Sequence, residues 1–242
     1  MGRLLLVGNS RWHWAQRLLP SGSESRGLHC WHESAPPAAN DGWSDLEAWA
    51  AVGPLPAGLA LPAQRRVGLK RVPLAEMPDW LGVDRALAGW QAWRSQGHGV
   101  LVADAGTCLS LTWVDGQGRF RGGRLSAGLG LQLRSLGAAT VALPELPQGP
   151  AGLQADDPGE AWPMATAAAM LQGCLRACAA SIAQACLDVG DEEPCCLWLT
   201  GGDGACLLPL LQRAGLKPEL APDLCLQALA TLAEAEPGPP FS

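Results

Sequence analysis

The 242-residue sequence contains no tyrosine and only two phenylalanines, although it has eleven tryptophans. The absence of tyrosine excludes any chemistry that needs a phenolic hydroxyl. Lysine is also scarce, and neither Lys70 nor Lys217 stands in the Gly-Lys-Ser or Gly-Lys-Thr context of a P-loop, so a P-loop nucleotide-binding domain is excluded. The formal charge of −6 argues against a general nucleic-acid-binding protein, which needs a basic surface to bind phosphates.

The sequence has nine cysteines but no Cys-x-x-Cys pair, and Met1-Gly2-Arg3 leads into an apolar stretch, Leu4–Val7, that is too short for a signal-peptide core. We therefore expect reduced thiols in a cytoplasmic protein. The apolar segment from Ala161 to Leu187 has a single charge, Arg176, and resembles a membrane span in composition. Its polar residues recur at multiples of four, which predicts an amphipathic core helix and no membrane association.

Two segments of the chain follow the same plan. Leu4–Ser10 and Val100–Thr107 are each a short apolar strand that ends in glycine and a hydroxyl residue, and a second strand follows each. After the second segment, Asp115-Gly116-Gln117-Gly118 is a strong hairpin signal. Because Gly8 and Gly106 lie 98 positions apart, we interpret the chain as two related halves, residues 1–97 and 98–242, each opening on a β-hairpin.

Apolar spacing predicts the other elements, with less regular sequence around them. Leu46, Trp49 and Ala50 have helical spacing, and Val67–Val72 could form a short strand. We further expect helices over 84–94, from Leu129 to Leu136, and over 222–235, a buried strand over 195–199, a loop over 140–150 and a frayed proline-rich end.

Asp104-Ala105-Gly106-Thr107 places a carboxylate, an unhindered backbone and a hydroxyl at the end of a strand. Glycine lets backbone N–H groups approach phosphate oxygens, threonine adds a donor, and aspartate can hold a cation. Alone, this sequence favours an ordinary Asp-Gly turn. The related turn Gly8-Asn9-Ser10 in the other half favours a phosphate site shared by the two halves.

Two further segments have a functional and a structural interpretation. Gly201-Gly202, after a strand, suits a backbone close to a ligand or a plain strand-to-helix loop. Gly82-Val83-Asp84-Arg85 offers an acid and an arginine that can accept a hydroxyl proton and meet an anionic substrate, or an aspartate that caps a helix. His29-Cys30-Trp31-His32 lies in a predicted polar loop without further metal ligands nearby, and His13 is predicted to be a strand residue.

In their order and spacing, these motifs resemble the type III pantothenate kinases of the actin and sugar-kinase superfamily. The resemblance runs from about Leu4 to Ala230. It rests on Gly8-Asn9-Ser10, Gly82-Val83-Asp84-Arg85, Asp104-Ala105-Gly106-Thr107, Gly122–Gly128, Thr140 with Leu143-Pro144, Thr166 with Ala169 and Gly173, Leu199–Asp203, and Pro222-Asp223-Leu224.

The resemblance implies an α/β protein with two ribonuclease-H-like domains, a nucleotide cleft between them, and transfer of the γ-phosphoryl group of ATP to pantothenate, the first step of coenzyme A biosynthesis. It implies that Asp84 is the catalytic base. It implies a pantothenate site of Gly82, Val83, Asp84, Arg85 and Thr166, and an ATP site of Gly8, Asn9, Ser10, Arg11, Thr107, Gly201 and Gly202. It also implies Mg²⁺ with ATP, a monovalent cation (K⁺ or NH₄⁺) at Asp104, and a cytoplasmic homodimer.

The chain departs from the family pattern at three positions. Leu6 stands where the first phosphate motif has an aspartate, Ala127 replaces a proline, and Ala165 replaces an asparagine before Thr166. Because phosphoryl transfer depends on metal ions to neutralise developing charge, the Leu6 change leaves open a non-catalytic nucleotide or pantothenate sensor of the same fold. The second alternative is a kinase of this fold that acts on another small alcohol.

Overall fold

The chain divides into two compact units, one made of residues 1–91 and 223–242 and the other of residues 92–222. A computed structural model describes residues 2–18, 27–34, 43–146, 159–190 and 195–235. The division falls inside the first helix, and it assigns the C-terminal helix to the first unit. The sequence-based boundary at 97/98 placed that helix in the second half instead.

The first unit contains one four-stranded sheet in the order β3-β2-β1-β4, in which β1 pairs antiparallel with β2 and parallel with β4. Helix α5 packs against β1, β2 and β4. The elements are β1 (Arg3–Val7), β2 (Trp12–Arg17), β3 (Leu28–Glu33), β4 (Leu46–Ala51), the 3-10 turns Ala63–Arg65 and Leu69–Arg71, helix α1 (Val83–Gln96), which continues into the second unit, and α5 (Leu224–Glu234).

Tryptophan side chains cover one face of the first sheet. Trp14, which is 1% exposed, stacks between Trp31 and Trp43, with ring centroids at 6.0 and 6.3 Å and nearly parallel planes. The guanidinium of Arg3 lies 5.2 Å from the centre of the Trp14 ring, where the negative face of the indole attracts it. Tryptophan therefore provides most of the aromatic apolar surface in this core, since the chain has only two phenylalanines and no tyrosine.

The second unit contains a five-stranded sheet in the order β7-β6-β5-β8-β9, with antiparallel β5-β6-β7 and parallel β5, β8 and β9. Its first four strands repeat the order of the first sheet. The elements are β5 (Gly99–Ala105), β6 (Cys108–Val114), β7 (Phe120–Ala127), α2 (Leu129–Ala139), α3 (Thr166–Val189), β8 (Cys195–Thr200), α4 (Gly204–Arg213) and β9 (Glu219–Leu220). Each sheet contains an antiparallel hairpin made of its first two strands in the chain, β1–β2 and β5–β6, as the sequence predicted.

Helix α3 is long and apolar enough to cross a membrane by length and composition, the one such helix among the described residues. Its face with Leu175, Cys178 and Ile182 belongs to the core of the second unit, where it packs on α2, α4 and β6. Gln172, one of the polar residues of this helix, is only 6% exposed. All nine cysteines lie in the described residues, and none of them forms a disulfide.

The structure corrects three predictions of local structure. Leu46–Ala51 is strand β4, although its apolar spacing predicted a helix. Val67–Val72 is not a strand but contains the 3-10 turn Leu69–Arg71. The segment with His29 and His32 is strand β3, where a polar loop was predicted. Residues 140–146 form no helix or strand, as expected, whereas the rest of that loop and the proline-rich end lie outside the described residues.

A buried carboxylate closes the turn between β6 and β7. Asp115 is 4% exposed and accepts hydrogen bonds from the backbone N–H groups of Gln117 and Arg119 and from Arg119 Nε, at 3.0, 3.0 and 2.7 Å. Although burial opposes ionisation, the hydrogen bonds and the charge of Arg119 hold the pKa of Asp115 below its usual value. The ionised carboxylate is therefore part of the folded turn.

We expect Asp115→Asn to lower the free energy of unfolding by about 1–3 kcal/mol at pH 7, because the Nδ2 group that replaces one carboxylate oxygen is a donor and cannot accept from Arg119 Nε. A lowered pKa contributes stability above the unfolded-state pKa, and that stability is lost as the pH falls through the folded-state pKa. Urea unfolding at pH 7 and in acid tests this, and the difference between wild type and variant must shrink in acid. The control Asp188→Asn removes an exposed pair with Arg124 and should leave the midpoint nearly unchanged. An unaltered midpoint for Asp115→Asn would contradict the role of the carboxylate.

Candidate functional site

The first candidate turn, Gly8–Arg11, joins β1 to β2. The Gly8 N–H donates to the carbonyl oxygen of Arg11 at 3.0 Å. A Cβ on Gly8 would lie 2.9 Å from that oxygen and 3.2 Å from His13 Nε2, so the tight turn requires glycine at this position. Asn9, Ser10 and Arg11 are exposed at the tip of the turn.

The second candidate turn joins β5 to β6 and closes with the Gly106 N–H donating to the carbonyl oxygen of Cys108 at 3.1 Å. Asp104, half-buried near the end of β5, lies beside Ser110 of β6 and Thr200 of β8 in the sheet register. Thr107 is exposed at the tip. The carboxylate and the hydroxyl therefore stand on either side of an open glycine turn, as the sequence predicted.

Two glycines from other parts of the second unit press against this turn. Gly201 has φ +85°, and a Cβ there would contact Asp104 Oδ1 and lie 2.5 Å from the carbonyl oxygen of Ala105. A Cβ on Gly128 would overlap the carbonyl oxygen of Gly106, and the Gly128 N–H donates to the Thr107 carbonyl at 3.0 Å. Any side chain at either glycine would push the backbone segments apart.

Gly201 and Gly202 differ in their surroundings. Gly201 packs against Asp104 and the backbone of Ala105, and this close packing explains why the position is a glycine. Gly202 is exposed, and a Cβ there would meet no atom within 4 Å. The next residue, Asp203, donates its backbone N–H to the Ala105 carbonyl at 2.9 Å and precedes α4, so it ties the end of β8 to the end of β5. Sequence reasoning gave neither Gly128 nor Asp203 a part in the site, because both act through backbone contacts between distant segments.

The third candidate segment, Gly82-Val83-Asp84-Arg85, begins helix α1. The half-buried Asp84 carboxylate accepts hydrogen bonds from the backbone N–H groups of Asp84 and Arg85, and burial outweighs them and raises its pKa. A Cβ on Gly82 would lie 2.5 Å from Asp84 Oδ1, so this glycine gives the carboxylate its space. Arg85 is 9% exposed, and burial lowers its pKa against the opposing charge of Asp84.

This arrangement combines both interpretations of the segment. The Asp84 carboxylate bonds the first turn of α1, as a capping residue does, and it is also a carboxylate with a raised pKa beside an arginine. Raised pKa values of partly buried carboxylates are frequent at acid–base sites. Within the same unit, the Cys225 thiol of α5 donates to the Asp84 carbonyl oxygen at 3.4 Å and holds the start of α1 in place. Thr166, in the second unit, is exposed as the first residue of α3.

The donor set at Asp104 fits a cation that takes few protein ligands. Among the described residues, no group of three or more histidine, cysteine, aspartate or glutamate side chains could hold a metal ion. Asp104 Oδ1 instead lies against the backbone of Gly201. A single carboxylate beside a glycine turn is typical of Mg²⁺ in nucleotide sites, where phosphates and water supply most of the ligands.

Comparison with known proteins gives the family. Residues 63–187 match the model of the type III pantothenate kinase family, and this range contains both Gly82–Arg85 and Asp104–Thr107. A type III pantothenate kinase of Synechococcus elongatus is 33% identical over 256 residues, which cover 97% of this chain and 98% of that protein. The chain belongs to the type III pantothenate kinase family.

Solved structures support the fold of this type III pantothenate kinase family member. A Campylobacter jejuni protein described as a Baf family transcriptional activator matches 97% of the chain with a TM-score of 0.58 at 14% identity. A Sinorhizobium meliloti protein described as a 2-dehydro-3-deoxygalactonokinase matches 98% with a TM-score of 0.54 at 16% identity. At these identities the likeness concerns the fold, and it confirms the predicted α/β architecture of the actin and sugar-kinase type.

Leu6, which stands where the pantothenate kinase family has an aspartate, lies in the first sheet. Leu6 is 7% exposed and pairs in the sheet with His13 on one side and Ala50 on the other. Residues directly opposite on neighbouring strands share a face, so the position carries an apolar side chain beside an imidazole. The other two departures lie at the ends of elements. Ala127 is the last residue of β7, and Ala165 precedes α3 and makes no side-chain cap.

Proposed function

We propose that this protein transfers the γ-phosphoryl group of ATP to pantothenate and so performs the first step of coenzyme A biosynthesis. The observation that carries the proposal is the Gly82-Val83-Asp84-Arg85 segment at the start of α1, which lies inside the region that matches the family. It combines a half-buried carboxylate of raised pKa with a buried guanidinium. A hydroxyl that becomes a nucleophile and an anionic carboxylate are the two polar features of pantothenate that such a pair would recognise.

On the pantothenate side, Asp84 accepts the proton of the attacking hydroxyl and orients that hydroxyl towards the γ-phosphorus. Burial supports this role because it raises the pKa of Asp84 and makes the carboxylate a stronger base than a solvated one. Arg85 attracts the substrate carboxylate, the backbone of Gly82 and Val83 shapes the site beside it, and the Thr166 hydroxyl supplies a further hydrogen bond.

On the ATP side, the exposed turn residues of the first unit, Asn9, Ser10 and Arg11, contribute donors and a positive charge to the phosphates, and Gly8 allows the tight turn. In the second unit, the Thr107 hydroxyl contacts a phosphate. Gly201 and Gly202 offer backbone at the end of β8, where Gly202 is the exposed member of the pair. Backbone N–H groups and hydroxyls are common phosphate ligands in glycine turns.

Asp104 is the residue that we assign to a cation. Its carboxylate suits Mg²⁺ carried by ATP or a monovalent cation such as K⁺ or NH₄⁺, both of which prefer oxygen ligands. A bound cation would neutralise negative charge on the phosphates during transfer. Asp104 holds its oxygen at the edge of the glycine turn, because the backbone of Gly201 packs against it.

We also propose that the protein works as a homodimer in the cytoplasm. The chain exposes several large apolar side chains, among them Trp80 at 75% and Leu125 at 64%. Such side chains suit a two-fold interface between copies of the chain. Light scattering at micromolar protein should give twice the 25.2 kDa mass of the chain, and a strict monomer would contradict the dimer.

A coupled assay of ADP release, run with and without pantothenate, tests the proposed function. We expect ADP release to depend on pantothenate, with 4′-phosphopantothenate as the product identified by mass. ATP binding without pantothenate-dependent release would favour a sensor. Release that depends on a different small alcohol would favour a kinase with another acceptor.

The magnesium requirement provides a prediction at position 6. We expect Leu6→Asp to lower the magnesium concentration for half-maximal rate, because a carboxylate at the end of β1 adds a ligand near the first turn. The isosteric but uncharged Leu6→Asn is the matched control and should keep the wild-type requirement. Both variants bury a polar group at a 7% exposed position and should lower the unfolding midpoint, so rates are compared per folded protein. An equal magnesium requirement in wild type and both variants would contradict a role for a carboxylate at position 6 in magnesium binding.

A further inference from the structure

The imidazole of His13 lies beside the Gly8–Arg11 turn, on the strand next to Leu6. His13 of β2 pairs directly with Leu6 of β1, so their side chains share one face of the sheet, with Cβ atoms about 5 Å apart. A Cβ on Gly8 would lie 3.2 Å from His13 Nε2, which places this nitrogen at the turn that we assign to phosphate. On this face, the imidazole is therefore the neighbour of the position where the family has an aspartate.

Hydrogen bonding to His32 determines the tautomer of His13. The Nδ1 atoms of the two rings lie 2.9 Å apart and share one hydrogen bond, so only one of them carries its proton. On the far side of His32, the buried Asp223 Oδ1 lies 3.8 Å from Nε2 and has no hydrogen-bond partner among the described residues. The charge of this carboxylate favours the neutral form of His32 with its proton on Nε2. His32 Nδ1 then accepts the hydrogen bond, and His13 Nδ1 donates it.

This tautomer leaves a free lone pair on His13 Nε2. In the part of the chain that the structure describes, no group donates a hydrogen bond to this atom. Burial also lowers the pKa of His13 to about 4, so the lone pair carries no proton at neutral pH. A neutral imidazole nitrogen is a common metal ligand, and it suits first-row transition ions better than Mg²⁺, which prefers oxygen. His13 can therefore supply a metal ligand at a turn that lacks the family carboxylate.

We propose that His13 Nε2 coordinates the divalent cation that accompanies ATP at the Gly8–Arg11 turn, and that a first-row transition ion such as Mn²⁺ binds there more tightly than Mg²⁺. His32 and Asp223 are positioning residues that hold the ligand in the required tautomer, as outer-shell partners of metal-binding histidines do. The phosphates of ATP and water supply the other ligands. The inference rests on the proposed use of ATP.

Electron spin-echo spectroscopy of Mn²⁺ tests the ligand directly in the wild-type protein. Mn²⁺ is paramagnetic, and a nitrogen bound to it modulates its echo. With Mn²⁺ and ATP, and without pantothenate so that no transfer takes place, we expect modulation by a bound nitrogen. Labelling the histidines with ¹⁵N should change this modulation from ¹⁴N to ¹⁵N, whereas a nitrogen of adenine would keep the ¹⁴N signal. Mn²⁺ that binds with ATP but without a histidine nitrogen would overturn the inference.

Variants then assign the nitrogen to one histidine. We expect His13→Phe to remove the nitrogen signal and to weaken Mn²⁺ binding to the ATP complex about tenfold or more, and His32→Phe to weaken it about tenfold. Binding of Mg²⁺ to His13→Phe should stay within about twofold of wild type, because Mg²⁺ prefers oxygen ligands.

The matched control is His29→Asn, since His29 lies on the opposite face of β3 and should not affect Mn²⁺ binding. Titration of the protein–ATP complex with metal, in which free Mn²⁺ is measured by its spin resonance and Mg²⁺ by competition, gives both affinities. Unchanged Mn²⁺ affinity in folded His13→Phe would overturn the inference. An equal loss for both ions would also overturn it, because a disturbed turn affects them alike.

The outcomes also separate this inference from the proposed function. A wild-type protein that binds Mn²⁺ with ATP through His13 but does not phosphorylate pantothenate would leave the inference standing and remove the function. A protein that phosphorylates pantothenate but shows no histidine nitrogen on the bound metal would do the reverse.

Discussion

Asp84→Asn is expected to lower kcat with pantothenate by a factor of about 10² to 10⁴, the range typical for loss of a general base, while ATP affinity stays close to wild type. The asparagine keeps the size of the side chain and can still accept from the backbone N–H groups of Asp84 and Arg85 that the carboxylate bonds. It cannot accept the proton of the attacking hydroxyl. Steady-state kinetics together with calorimetric ATP binding measures both quantities.

The pH profile provides the second half of this test. Asp84 must be ionised to act as a base, and its pKa is raised by burial. The wild-type kcat/KM should therefore fall as the pH decreases, and the fall should begin above the value of about 4 for a solvated aspartate. Asp84→Asn should lose this acid limb, and Asp79→Asn, on the preceding exposed segment, should keep it. A lower unfolding midpoint with unchanged turnover per folded molecule would instead mean that Asp84 only caps α1.

Gly201→Ala is expected to lower the free energy of unfolding by about 2–4 kcal/mol and to raise the KM for ATP. The cost combines a positive φ of +85° with a Cβ that would contact Asp104 Oδ1 and lie 2.5 Å from the Ala105 carbonyl oxygen. The backbone at the end of β8 has to shift, and the second turn shifts with it. Thermal and urea unfolding, followed by ATP kinetics on the folded variant, measure the two effects.

The neighbouring glycine is a matched control for stability. Gly202 has no positive φ, and a Cβ there would meet no atom within 4 Å, so Gly202→Ala should retain the wild-type unfolding midpoint. Equal unfolding midpoints for the two variants would show that the close packing of Gly201 on Asp104 does not contribute to stability. A large loss for both would mean that the whole loop requires glycine.

The hairpins and the long helices could be predicted because their signals are local. Apolar runs that end in Gly8 or Gly106 give strand and turn within a few residues, and Asp115-Gly116-Gln117-Gly118 specifies its turn chemistry directly. Strand β4 could not be predicted in this way. Leu46–Ala51 contains no β-branched residue and has apolar spacing that suits a helix, yet it pairs parallel with β1 and is buried in the sheet. Tertiary pairing outweighs local propensity at such a strand.

In the candidate site too, local features could be predicted from the sequence, whereas contacts between distant segments could not. The two turns and the start of α1 could be located from the sequence, because each candidate segment spans only four consecutive residues. The packing of Gly128 and Gly201 on the second turn joins segments far apart in sequence, and no local pattern indicates it. The contact of His13 with His32 depends on the register between β2 and β3, which only the paired sheet defines.

Helix α5 packs on β1 and β4 but comes much later in the chain than these two strands. The packing of the first unit is therefore completed only after α5 has been synthesised. The stretch 92–222 is continuous and can fold as soon as it leaves the ribosome, whereas the sheet face with Leu4 and Leu6 waits for residues 224–234. For most of the time of translation, apolar strands at the amino terminus remain uncovered. Nascent chains stalled before α5 should therefore recruit chaperones at their first fifty residues, and release of the finished chain should end that dependence.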